Sequence, residues 1–165
     1  METVGEAAGP VSGGLPREFA SLSEFRAAAG TLLGTSSWHT VTQPLIDAFA
    51  RATDDTERIH LDPRAAAKAQ LDGTIAHGLY TLSLGPKFLQ EIYVVQGYSR
   101  VLNYGYDSVR FLNPVLVESR LRMHARLEGI QPLESGSKFL IEQHFEIEGQ
   151  GKPACVARGI IAYFD

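Results

Sequence analysis

From Val117 to Glu128 the chain alternates strictly: Val117, Ser119, Leu121, Met123, Ala125 and Leu127 on one row, charged residues and His124 on the other. A helix turns about 100° per residue and cannot sort a period of two onto two faces, whereas a strand does so at once. This run is therefore a strand with one dry and one wet face. Phe139, Ile141, Phe145 and Ile147 repeat the pattern, Gly149-Gln150-Gly151 marks a turn, and Ala154–Phe164 reads as a final strand apolar on both faces. Antiparallel strands with one dry face need a cover.

The stretch Gly78 to Val95 is the candidate cover, carrying Leu79, Tyr80, Leu82, Leu84, Phe88, Leu89 and Ile92. A helix that is apolar nearly all round belongs inside, and Gly85-Pro86 predicts a kink or break within it. The expected fold class is α+β, an antiparallel β-sheet wrapped around a central buried helix. The two apolar faces of the final strand predict that part of the sheet is covered again, by a second copy of the chain.

Upstream, residues 1–20 are expected to form a flexible arm rich in Gly, Ala and Pro, and residues 21–165 a single domain. Ser21-Leu22-Ser23-Glu24 reads as a capping box opening a helix to Ala29 that stops at Gly30. A short strand is expected over 36–41. Thr42 with Pro44 opens an amphipathic helix through Ile46, Phe49 and Ala50, ending near Thr53-Asp54-Asp55. Asp62-Pro63 opens another to about Ala69.

With 165 residues the chain can bury one core without staples. Its net charge of −4 gives it no general attraction to nucleic acid or to an anionic membrane surface. The lone Cys155 cannot pair within the chain and reads as a small buried hydrophobe. With neither a signal peptide nor a membrane span expected, the predicted location is the cytoplasm.

Two segments carry chemistry. Asp55-Thr-Glu-Arg-Ile-His60 puts an acid and an imidazole at a helix exit; alone, this spacing fits a cap and a surface histidine as well as a catalytic pair. Gly73-Thr-Ile-Ala-His-Gly78 runs into the buried helix, whose first N–H groups are unpaired. At such a terminus Gly78 fits either a tight helix entry or a backbone donor for a developing oxyanion. His39, His124 and His144 show no metal-ligand spacing, and neither a metal nor a cofactor is expected.

Taken together, Phe49-Ala-Arg-Ala-Thr-Asp-Asp55, Ile59-His60-Leu-Asp-Pro63, Gly73–Gly78 with Leu82-Ser83-Leu84, Leu102-Asn-Tyr-Gly-Tyr-Asp-Ser-Val-Arg-Phe-Leu-Asn-Pro-Val115 and Lys152-Pro-Ala-Cys-Val-Ala157 resemble the MaoC-like (R)-specific enoyl-thioester hydratases, in their NodN-like branch. The resemblance covers roughly Glu24 to the C-terminus. It implies a hotdog fold, a homodimer, and reversible hydration of a trans-2-enoyl thioester, on coenzyme A or an acyl carrier, to the (R)-3-hydroxyacyl product. It implies that Asp55 and His60 share one catalytic water and that the Gly78 N–H holds the thioester oxygen. Ile75 and His77 are the further residues expected to adjoin the substrate, although His77 fits equally an anchor that holds the loop by hydrogen bonds. The chain departs from the family in having Asp54 where a glycine is usual, and Glu57-Arg58 where the NodN-like branch has Gln-Trp. The alternatives are an acyl-thioester hydrolase of the same fold and a hotdog protein that binds acyl thioesters or a protein partner without reacting.

Overall fold

A computed structural model describes residues 14–165; most of the expected arm, residues 1–13, lies outside the described residues. The elements in order are β1 (Arg17–Phe19), α1 (Leu22–Ala27), β2 (Leu32–Thr35), β3 (His39–Thr40), α2 (Gln43–Thr53), α3 (Arg58–Leu61), α4 (Pro63–Lys68), α5 (Gly78–Ser83), α6 (Gly85–Ile92), β4 (Tyr93–Val95), β5 (Arg100–Phe111), β6 (Arg120–Leu133), β7 (Gly136–Ile147) and β8 (Cys155–Phe164). The main sheet runs β2-β6-β7-β8-β5, with β3 also paired to β6, and every pairing is antiparallel.

The expected dry row is real. Register pairs Leu121 with Ile147, Met123 with Phe145 and Leu127 with Ile141, and Leu121, Met123, Ala125, Leu127, Ile141 and Phe145 are fully buried. Each large apolar side chain so buried contributes about 1.5–3 kcal/mol. The central helix supplies the other half of the core through Phe88, Leu89 and Ile92, with the Phe88 and Phe145 rings 6.2 Å apart. It is interrupted where expected: α5 ends at Ser83, Leu84 links the two pieces, and Pro86, which has no N–H, stands in the first turn of α6.

Several expectations are corrected. Arg17–Phe19 is not part of an arm but a strand parallel to β4, and Phe19 is buried against Phe25, with ring centroids 4.9 Å apart. One aromatic outweighs the Gly/Pro-rich composition around it. The helix ends at Ile92, and Tyr93–Val95 turns extended to pair with β1. The strand expected over 36–41 shrinks to β3, while β2 forms just before it. Glu118, at φ 64°, delays the start of β6 to Arg120. At α1 the Ser21 hydroxyl accepts from the Glu24 N–H (3.2 Å), and Glu24 reaches back to the Ala20 N–H (2.8 Å), one residue before the cap. Thr42 has the extended backbone of a cap, but its side chain makes no capping bond. Strand β8 is interior, between β7 and β5. A row of exposed apolar side chains lies instead on β5, at the end of the sheet order: Val101, Leu102, Tyr104 and Phe111.

Helix α2 ends on Asp54 in the left-handed region (φ 56°, ψ 18°). This conformation explains why a glycine suits the position; among side chains, the short polar Asp tolerates it best along with Asn. Replacing Asp54 with Gly is expected to raise stability by about 0.5–1 kcal/mol, and Asp54→Val to lower it by about 1–2 kcal/mol, read as shifts in the urea midpoint. Cys155 is fully buried, and burial pushes its thiol up to about 11. The native protein is therefore expected to resist thiol reagents at mildly alkaline pH and to label only as it unfolds; rapid stoichiometric labelling of the folded state would contradict this placement.

Candidate active site

The chain leaves α2 through Asp54 and turns immediately, so Asp55 projects from the corner between α2 and α3. Its Oδ1 accepts from the Glu57 N–H at 3.4 Å, and the side chain is exposed. Glu57 caps α3, accepting from the Arg58 N–H (3.0 Å). Arg58 reaches forward to Asp62 at 2.6 Å and leaves most of its side chain in solvent. The charged pair Glu57-Arg58 thus serves α3 and its surface. The Arg58 guanidinium and then the Arg64 N–H hold the Asp62 carboxyl below the usual carboxylate range; such an exposed pair adds little to stability.

One helical turn on, His60 is buried. Its Nδ1 lies 2.7 Å from the Ile75 carbonyl. A carbonyl only accepts, so Nδ1 carries the proton and Nε2 of the neutral ring is left as an acceptor. His77, also buried, donates from Nε2 to the Asp55 carbonyl at 3.0 Å, and its Nδ1 has no partner among the described residues. The two imidazoles stack at 3.7 Å with 26° between planes, and Phe49 flanks His77 at 5.1 Å. Gln43 brackets the assembly: its amide N–H groups donate to the His60 carbonyl (2.9 Å) and Asp47 (2.8 Å), and its Oε1 accepts from the buried Thr74 hydroxyl (2.6 Å). Main-chain bonds from Ala76 to Val115 and from Val117 to Thr74 fasten the 74–76 segment to the chain ahead of β6.

As a result a carboxylate oxygen of Asp55 and one ring nitrogen each of His60 and His77 lie within 4.8 Å of one another. Two hydrogen bonds of about 2.8 Å to one water, at its near-tetrahedral angle, span about 4.6 Å, so Asp55 and His60 are spaced to share a water. The trio is also close enough to meet at a metal ion, with one exposed carboxylate and two buried, stacked rings.

Beside His60 opens a cavity of about 310 Å³ walled by Ile75, Gly78, Thr81, Phe111 and Leu112 among others. Gly78 begins α5. No side chain caps this helix, and its first bond within the helix runs from the Thr81 N–H to the His77 carbonyl, so the first turn points unpaired N–H groups outward. A side chain at position 78 would meet the Phe111 ring at 3.0 Å, so the glycine allows that ring and the helix end their close approach.

The structure therefore brings Asp55, His60 and His77 together, with Ile75 and Gly78 in the adjoining wall. His77 is not among the wall residues; it stands behind Asp55 and holds its main chain. Ile75 contributes its carbonyl to His60 as well as its place in the wall. Ser83 bonds the Tyr80 carbonyl within its own helix (2.7 Å). His39 bonds the Tyr80 hydroxyl, and His124 bonds Thr35 and Glu146. Gln43, Thr74 and Phe111 were not legible as site residues. Phe111 sits within a strand motif, and the bonds of Gln43 join positions 17 and 31 residues away.

The chain matches the family model described as the MaoC like domain over residues 24–144. It is 43% identical over 148 residues to 3-hydroxyacyl-thioester dehydratase Z of Mycobacterium tuberculosis, covering 89% of this chain and 98% of that protein. It is 39% identical over 157 residues to nodulation protein N of Rhizobium meliloti, covering 88% and 92%. Its fold is similar to the crystal structure of the MaoC-like dehydratase from Rhodospirillum rubrum, with TM-score 0.70, 20% identity, and coverage of 83% of this chain and 92% of that one. On these findings the chain belongs to the MaoC-like dehydratase family, in its NodN-like branch, and its antiparallel sheet around an interrupted central helix is the hotdog fold.

Proposed function

We propose that the protein catalyses the reversible hydration of trans-2-enoyl thioesters of coenzyme A to (R)-3-hydroxyacyl thioesters. The observation that carries this reading is the approach of the Asp55 carboxylate to the His60 ring within one water's reach, beside a cavity whose wall includes the start of α5. The 43% identical relative is named a dehydratase of 3-hydroxyacyl thioesters, which supports both the thioester and the reverse direction. The (R) outcome rests on the family likeness.

In the hydration direction a water sits between Asp55 and His60. His60 Nε2 accepts one hydrogen bond and orients the oxygen toward C3; Asp55 takes a proton as the O–C3 bond forms. The C2–C3 π electrons shift toward the carbonyl, and the Gly78 N–H stabilises the enolate oxygen. A proton then returns from the Asp55–His60 pair to C2. One O–H bond of water is broken, C3–O and C2–H bonds form, and neither oxidant nor cofactor enters. His77 acts through Asp55, whose carbonyl it holds. The exposed apolar side chains of β5 support a homodimer joined at that edge, and the single buried Cys155 supports a cytoplasmic setting.

Mixing the protein with short and medium trans-2-enoyl-CoAs is expected to bleach the enoyl-thioester absorbance. Asp55→Asn is expected to keep the fold and to lower kcat/KM by roughly 10²–10⁴. Undiminished turnover in that variant would remove Asp55 from the mechanism.

A further inference from the structure

A second cavity, of about 300 Å³, opens farther along the central helix. Its walls include Pro86 and Leu89 of α6, Asn103 and Tyr106 of β5, Ile161 of β8, and Gln143 of β7. Gln143 stands on the dry row of β7 between Ile141 and Phe145, where the alternation of the strand calls for an apolar side chain. It is 2% exposed, and its Oε1 has no hydrogen-bond partner among the described residues. An unpaired buried carboxamide is costly, and an apolar residue of similar size would avoid the cost.

The chain nevertheless makes room for it. A Cβ atom on Gly85 would lie 2.9 Å from Gln143 Oε1, and one on Gly159 would lie 2.5 Å from Nε2. Two glycines, one at the break in the central helix and one on β8, thus form the slot that holds the carboxamide. The Tyr106 ring borders the same Gly159 position at 3.4 Å.

The two cavities follow one another along a single seam. Gly78, Thr81 and Phe111 line the first; Pro86, Leu89, Tyr106 and Asn103 line the second, farther along the same helix and the same strand. The seven residues from Gly78 to Gly85 span about 10 Å of helix, within reach of a medium-length acyl chain whose thioester lies at Gly78.

We propose that Gln143 is a specificity residue that selects thioesters whose acyl chain carries a hydroxyl group on the segment lying in this second cavity. The inference rests on the enoyl-thioester reading for the position of the chain. A hydroxyl both donates and accepts, so it satisfies Oε1 or Nε2 whichever faces it. An unsubstituted alkyl chain strips water from the carboxamide and gives nothing back.

Binding decides the matter without turnover. Saturated octanoyl-CoA, its ω-hydroxy derivative and its (ω−1)-hydroxy derivative are titrated calorimetrically into the wild type and Gln143→Met, a swap that keeps the length of the side chain and removes its hydrogen bonds. At least one hydroxylated chain is expected to bind the wild type about tenfold or more tightly than octanoyl-CoA, and the difference is expected to vanish in Gln143→Met. Equal or weaker binding of the hydroxylated chains by the wild type, no binding of any of the three, or a preference that survives in Gln143→Met overturns the proposal. The wild-type comparison decides it alone should the variant not fold. Hydration of trans-2-octenoyl-CoA is measured alongside. Turnover without hydroxyl preference overturns the role of Gln143 and leaves the hydratase reading standing; hydroxyl preference without turnover does the reverse.

Discussion

Two hydrogen bonds from imidazole rings to main-chain carbonyls organise this site. His60 donates to the Ile75 carbonyl and His77 to the Asp55 carbonyl. Each bond ties the α2–α3 corner to the segment that enters the central helix, and the stacked rings close the joint between them. The first bond fixes which nitrogen of His60 bears the proton and so leaves the other to accept. The second holds the main chain of Asp55, whose carboxylate lies close to the His60 ring. These bonds hold Asp55, His60 and the start of α5 together, with His60 and Gly78 in the wall of one cavity.

The departures from the family pattern become intelligible within this frame. Asp54 occupies a left-handed position that ends α2, where a glycine would carry no backbone strain. Glu57 caps α3 and Arg58 pairs with Asp62 along its outer face. Both charges therefore serve the short helix that presents His60. Deeper along the seam, a buried glutamine interrupts an otherwise apolar row between two glycines.

The parts of the fold legible in the sequence are those governed by one-dimensional patterns. The alternation around Leu121–Leu127 has only one structural solution, and Pro86 cannot supply the N–H that an unbroken helix needs. Phe19 and Tyr93–Val95 were not legible, because the pairing that makes them strands joins segments 76 residues apart, Arg17 with Tyr93. The site divides the same way. Asp55, His60 and Gly78 emerged from linked motifs whose residue types match the chemistry. For His77 the sequence left two roles open, lining the site or anchoring the loop by hydrogen bonds, and the bond to the Asp55 carbonyl fits the second. Gln43 escaped because its amide joins three segments that only folding brings together.

The proposed chemistry turns on the proton of His60. Nitrogen-15 chemical shifts of the labelled ring, assigned by comparison with His60→Gln, report directly which nitrogen is protonated in the neutral form. The structure predicts a single tautomer with the proton on Nδ1 and a bare Nε2, and loss of that preference when the ring is freed by unfolding. A ring protonated at Nε2, or a rapid mixture of the two tautomers in the folded protein, would contradict it, since His60 would then have no fixed acceptor to offer the water it is proposed to share with Asp55.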